Sequence, residues 1–303
     1  MSTLLESLLL LLSVCGLLFF SRPKVRRFLK RNYRAPGALF RAIRIGFILT
    51  GLLAAGHLLT THPWFLFGNV IAIIALLGML AYVGHYSRIP QHSAPRPSSV
   101  LIVAAHPDDL EIACGSTIAK LVDSGHQVHG IIMSDGADGG DAAVRPDEAR
   151  AGATFLGLSS VTVLSLTDRA LDEHMNEMID AIEAKMGAKQ PDLIFTHSKN
   201  EVHQDHLAVH RAVMRAARNH HSILCFESPS VTADFSPTVF IDVTDYSDVK
   251  AEAIAAHANQ SGKPYMSREI VDSITTFRGR QGRIRRAEGF EPMRLRLNDP
   301  MPL

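Results

Sequence analysis

Long apolar runs fill the first part of the chain, and short apolar runs alternate with amphipathic stretches in the rest. Leu4 to Phe20, Ile45 to Thr61 and Trp64 to Tyr86 contain no Lys, Arg, Asp or Glu apart from Glu6. Runs of this kind cross the bilayer as helices when they approach about 20 residues, which predicts three membrane spans. The third is the clearest, with Trp64 at one end and Tyr82 and Tyr86 at the other, where aromatic side chains anchor a span at the interface. Ser87 to Ser99 has no periodicity and three prolines, so it predicts a short linker. Beyond it, strands are expected at Val100 to Ala105, Gln127 to Met133, Val161 to Leu166, Asp192 to Thr196, Ile223 to Glu227, Val239 to Val243 and Arg294 to Leu297. Helical patterns cover Gly115 to Ser124, Pro146 to Leu156, Glu173 to Met186, His206 to Arg218, Ser247 to Ala258 and Arg268 to Phe277. The alternation predicts an α/β fold, a mostly parallel sheet with helices on both faces. The expected division is a membrane region 1–86, a linker 87–99 and a catalytic domain 100–303.

Charge sharpens this division. The 303 residues sum to a formal net charge of only +1. Residues 1–99, however, carry eleven Lys and Arg against the single acid Glu6, whereas residues 100–303 carry twenty against twenty-nine. Nine of the basic residues lie between Ser21 and Arg44, and the connection Thr60 to Pro63 has none, so the positive-inside rule places the basic link in the cytoplasm. Three spans then leave everything after Tyr86 on that same side, as a multi-pass membrane protein with a cytoplasmic domain. A cleaved signal peptide is disfavoured, because the basic residues follow the first apolar run. An acidic second half argues against nucleic-acid binding. Cys15, Cys114 and Cys225 are far apart and form no CxxC, which excludes a thiolate zinc site and a disulfide framework.

In open α/β sheets, sites form beyond the carboxyl ends of the strands, and the candidate chemistry falls there. His106-Pro107-Asp108-Asp109 follows the first strand, Ser134 to Asp141 the second, Asp168 and Arg169 the third, and His197 to His206 the fourth. A dinucleotide site is disfavoured: no GxGxxG follows Ala105, and two carboxylates repel a pyrophosphate. Hydrolytic zinc takes three His or carboxylate ligands and keeps a position for water. His106, Asp109 and His206 can supply the three, with Asp108 beside them to accept a proton. His203 lies within reach of the same centre, and Asp205 is counted with the catalytic groups, where it can either orient a histidine ring or simply cap the helix. His197, at a strand end, is either pocket wall or substrate contact. Glu111 is either a first-turn acid or a site residue, and Arg145 and Glu148 form either an intrahelical pair or part of the site.

AHPDDLE (105–111) together with HQDH (203–206) resembles the PIG-L/LmbE-like family of zinc-dependent N-deacetylases, which remove acetyl from N-acetylglucosamine units. VRPDEARAGATFLGL (144–158), THSKNEVHQDH (196–206), ESPS (227–230) and RRAEGF (285–290) extend the similarity over most of residues 98–297. The resemblance implies a Rossmann-like sheet, zinc or another divalent metal on His106, Asp109 and His206, and Asp108 as general base. It also implies His203 at the oxyanion, with Asp108 or His203 protonating the leaving amine, and Arg145 near a phosphate or polar aglycone. The expected substrate is an N-acetylated amino sugar, and the membrane region suggests a lipid-linked one. The alternatives are a deacetylase of a small soluble GlcNAc conjugate and a catalytically silent, membrane-bound glycan-binding protein.

Overall fold

Residues 2–91, 93–94 and 96–296 are described by a computed structural model, which divides into two compact units, Met1–Pro90 and Gln91–Leu303. In the first unit, α1 (Ser2–Ser21), α3 (Pro36–Thr60) and α4 (Pro63–Tyr82, continued by a wide turn through Ser87) are the three long apolar helices. Each carries a stretch long and apolar enough to cross a membrane. The basic link is not a loop. Pro23–Asn32 forms a helix, α2, with proline in its first turn and Leu29 buried against Leu39 and Ile43, while its Lys and Arg side chains face outward. The rest of the link lengthens α3 beyond the expected Ile45. Glu6 is fully buried, accepting from Asn69 Nδ2 at 3.0 Å and lying 3.4 Å from His57 Nδ1, so one polar cluster joins the three long helices.

The second unit is built on a seven-stranded sheet. Its strands are β1 (Ser99–Ala104), β2 (Gln127–Ser134), β3 (Ser160–Leu166), β4 (Leu193–His197), β5 (Ile223–Phe226), β6 (Val239–Asp242) and β7 (Ala287–Arg294). The order is β3-β2-β1-β4-β5-β7-β6, parallel from β3 to β5 and antiparallel thereafter. Helices α5 (Asp109–Asp123), α6 (Arg145–Leu156) and α9 (Ser247–Ile254) pack together, as do α7 (Met175–Lys189) and α8 (Gln204–Ala216), while α10 (Arg268–Gln281) lies against β7. β1 is central and almost wholly buried, so the fully apolar run Val100–Ala104 is what its position demands. Under α7 and α8, Leu101, Val103 and Ile131 meet Met178, Ile182, Val209 and Val213 in one core.

Two elements differ from expectation. The last strand is Ala287–Arg294 rather than Arg294 to Leu297, and Leu297 lies outside the described residues. AEGFEPMR has no alternating pattern and becomes a strand through its pairing with β5 and β6. Helix α5 begins at Asp109 rather than Gly115 and breaks at Cys114 (φ −139°, ψ 25°). The backbone N–H groups of Ser116 and Thr117, beyond the break, donate to the carboxylate of Glu288 at 3.2 and 2.8 Å, and Lys250 Nζ pairs with the same carboxylate at 2.6 Å.

Candidate metal centre

The strand order reverses between β1 and β4, and the crevice beyond their carboxyl ends holds the histidines and carboxylates. His106 leaves β1, and Asp109, opening α5, turns its Oδ2 back to accept the His106 backbone N–H at 2.7 Å. His206 comes from the first turn of α8. Its Nε2 lies 3.2 Å from His106 Nδ1 and 3.5 Å from Asp109 Oδ1, and His106 Nδ1 is 3.4 Å from Asp109 Oδ2.

The outward nitrogens of the two rings explain this convergence. His106 Nε2 donates to Asp205 Oδ2 at 3.1 Å and lies 3.2 Å from Asp168 Oδ1. His206 Nδ1 faces Glu201 Oε2 at 3.3 Å and Ser230 Oγ at 3.2 Å. Carboxylates behind both rings keep protons on the outer nitrogens, so the inner ones present lone pairs to one another and to Asp109. Such a donor set fits a divalent cation, and the ligand atoms of His106, Asp109 and His206 lie within 4.8 Å of one another. Burial opposes a charge on His106, yet Asp109, Asp168 and Asp205 hold its pKa well above the ordinary value. Burial and then the charge of His197 hold His206 below it.

Asp108 is buried beside Asp109, with its Oδ2 3.4 Å from Arg145 Nη2. Burial and then the Asp109 charge push its carboxyl up, against the pull of Arg145. His203 caps α8: its Nδ1 accepts the Asp205 backbone N–H at 3.2 Å. Its ring stacks on His206 with centroids 4.6 Å apart. Burial, then the charges on His206 and His106, push it down to about 4, so it is neutral near pH 7. Because Nδ1 is an acceptor, the single ring proton resides on Nε2. A cavity of about 260 Å³ opens over these groups, lined by His106, Asp108, Asp109, His203 and His206 and closed by Arg145, Lys263 and Tyr265 among others.

Three further candidates are placed as follows. His197 does not line this cavity. It is fully buried behind the centre, stacked on His206 at 3.9 Å between centroids, with Nε2 3.3 Å from Asp109 Oδ2 and Nδ1 3.6 Å from Glu201 Oε1. Asp205, placed with the catalytic groups, is also fully buried. It supports the His106 ring and accepts the backbone N–H groups of Arg169 and Leu171 at 2.7 and 3.2 Å. The first of these holds Arg169 in a left-handed conformation (φ 65°). Arg145 does line the cavity, but its guanidinium is shared between Asp108 and the Gly136 carbonyl (2.5 Å), and its expected helical partner Glu148 instead accepts from the Asn259 backbone.

Asp168 and Glu201 emerge as further parts of the centre. Burial would raise Asp168, but His106 and the backbone N–H groups of Asp138 and Gly139 lower it to about 2, tying the glycine-rich loop after β2 to the site. Glu201 falls four residues after His197, and that acid within a histidine-rich segment was the available signal. Tyr265 and Lys263 have none, because they come from a segment without motif or periodicity. Burial and then Asp108 and Asp109 push the Tyr265 phenol up to about 12.

Residues 101–217, within the α/β unit, match the family model PIG-L, described as GlcNAc-PI de-N-acetylase. The uncharacterized deacetylase YaiS of Escherichia coli K12 is 34% identical over 172 residues, which are 54% of this chain and 93% of that protein. The chain belongs to the PIG-L deacetylase family. Its PIG-L unit is also similar to a diacetylchitobiose deacetylase of Thermococcus kodakarensis, at 26% identity over 221 residues, covering 63% of this chain and 81% of the other. Among solved structures, N,N'-diacetylchitobiose deacetylase from Pyrococcus horikoshii shares the fold. The TM-score is 0.55 at 24% identity, with 65% of this chain and 84% of that one covered.

Proposed function

We propose that this PIG-L protein is a membrane-anchored, metal-dependent deacetylase that hydrolyses the acetamido group of an N-acetylglucosamine-type sugar carried on a lipid. The observation that carries the reading is the convergence of two imidazole lone pairs and a carboxylate beside a buried acid, Asp108, that is not among the converging ligand atoms. His106 Nδ1, His206 Nε2 and Asp109 would hold the metal, and nitrogen and oxygen donors without thiolate suit zinc. When bound, such an ion supplies Lewis acidity to the amide carbonyl and lowers the pKa of a water.

The chain's own groups do the rest. Asp108 Oδ accepts the proton of the attacking water as its oxygen bonds to the acetyl carbon, and the raised carboxyl pKa suits it to that exchange. Arg145 holds the Asp108 carboxylate in place. His203 Nε2–H faces the developing oxyanion as a neutral donor. The C–N bond then breaks, the amine takes the proton that Asp108 received from the water, and acetate and the free amino sugar leave. Asp205, Asp168 and Glu201 position the rings; of the three, only Asp168 also lines the cavity.

Anchoring is supported by the three apolar helices, and a cytoplasmic domain by the basic link at Ser21 to Arg44. Confining enzyme and substrate to one surface raises their effective concentration, which favours a lipid-linked sugar. The names of the diacetylchitobiose relatives favour a second reading, in which a small soluble sugar is the substrate. The test measures metal content and acetate release from full-length protein in nanodiscs, offered soluble and lipid-linked GlcNAc compounds. One equivalent of zinc and preference for the lipid-linked sugar are expected. Turnover of soluble compounds alone selects the second reading, and metal-independent turnover overturns the mechanism.

A further inference from the structure

A second cavity, of about 310 Å³, adjoins the candidate metal centre. We infer that it is a subsite for an alkyl or acyl group carried by the substrate. The inference deepens the deacetylase reading and rests on it for the position of the acetamido group.

Three observations support it. The two cavities share Ile112, Pro229 and Tyr265, so a molecule with its acetamido group at His106, Asp109 and His206 can extend past Tyr265 into the second space. Tyr265, an apolar ring with a polar tip, suits such a boundary. Apart from the Tyr265 hydroxyl at the boundary, the polar side chains around the second cavity are engaged with neighbouring side chains or with the backbone. Lys250 and Glu288 pair at 2.6 Å, and Arg278 Nε and Nη2 clasp Glu227 at 2.8 and 2.7 Å. Ser228 Oγ donates to Glu201 at 2.8 Å, and Thr275 Oγ1 donates to the Val271 carbonyl at 2.8 Å. What remains to meet a ligand is Ile112 and Ala113 of α5, Pro264, and Ile270, Val271 and Ile274 of α10. Finally, Ile270 and Ile274, one helical turn apart beside the site, are left 38% and 39% exposed. A buried apolar chain would cover them. The volume also falls within the range of ligand pockets, about 300–1,000 Å³.

The test uses the full-length chain in lipid nanodiscs, because detergent alkyl chains would compete for the cavity. Alkyl glycosides of N-acetylglucosamine, from methyl to hexyl, are compared by acetate release. The kcat/KM is expected to rise about three- to fourfold per added methylene until the cavity fills. Ile274→Asn is expected to flatten the hexyl-to-methyl ratio, and Ile274→Leu to preserve it. This ratio is read within each variant, so a general loss of folded protein does not mimic the effect. Equal kcat/KM for methyl and hexyl glycosides in the unmodified chain overturns the subsite while leaving the deacetylase reading intact. A hexyl glycoside tipped with a diazirine gives a readout independent of turnover. Labelling of residues 112–113 or 264–275, displaced by the unlabelled hexyl glycoside, supports the subsite even where no acetate appears, in which case the deacetylase reading fails instead. Displaceable labelling confined to other segments, or no displaceable labelling, overturns the subsite.

Discussion

Two adjacent acids, Asp108 and Asp109, have opposite electrostatic fates although one peptide bond separates them. Asp109 faces His106, His197 and His206 and is held well below the usual carboxylate range despite its burial. Asp108 meets only Arg145 directly and is pushed up. Asp108→Asn should therefore keep the metal and lower kcat by about 10²- to 10⁴-fold, checked by metal analysis alongside acetate release. A fully active Asp108→Asn protein removes it as the general base. Asp205→Asn should instead act through His106, weakening metal affinity by about 10- to 100-fold, as read from competition with a chelator of known affinity. An unchanged affinity would show that Asp168 alone is enough to orient the ring.

At the scale of elements, the break in α5 ties the helix following the HPDD segment to β7 on the antiparallel side of the sheet. Two freed N–H groups, the Glu288 carboxylate from β7 and the Lys250 ammonium from α9 form one buried unit. Lys250→Met strands the carboxylate without its cation and should cost about 3 kcal/mol, a fall in Tm of about 6–12 °C for a unit of this size. Differential scanning calorimetry on the full chain checks it, and adding Glu288→Gln should recover part of the loss. If Lys250→Met leaves Tm unchanged, the pair contributes nothing to the joint. The same scale shows where periodicity stops being informative. Strand β7 carries Gly289 and Pro292 and no alternation, and α2 was hidden inside a run of basic residues.

For the molecule as a whole, metal and fold should be coupled, because the inner lone pairs and Asp109 satisfy one another poorly without a cation. Chelation should lower the Tm of the α/β unit, and zinc at 100 times its dissociation constant should restore about 2.7 kcal/mol. A Tm indifferent to both treatments would falsify the metal assignment. For the membrane reading, a cysteine-accessibility map in intact cells should place residues of the α/β unit and Ser21 to Arg44 on the cytoplasmic side, and Thr60 to Pro63 on the other. Labelling of the α/β unit from outside overturns that topology.

The sequence by itself determined the apolar helices, the alternation that makes a parallel sheet, and the two motifs that bring His106, Asp108, Asp109, His203 and His206 to strand ends. Those features are local: a period of about two or 3.6 residues, or ligand types within four positions, is written in consecutive residues. Tertiary structure alone decided the division of labour around the candidate metal centre. Asp168 reaches His106 from the loop after β3, Glu201 reaches His206 from the loop after β4, and Tyr265 closes the cavity from a segment with no pattern. For His197 and Asp205 the sequence left wall or contact, and ring support or cap, open, and the packing of β4 and α8 against β1 buries both behind the centre. The order β3-β2-β1-β4-β5 is what brings Asp168 and His206, 62 and 100 positions along the chain, to His106, a relation no local pattern carries.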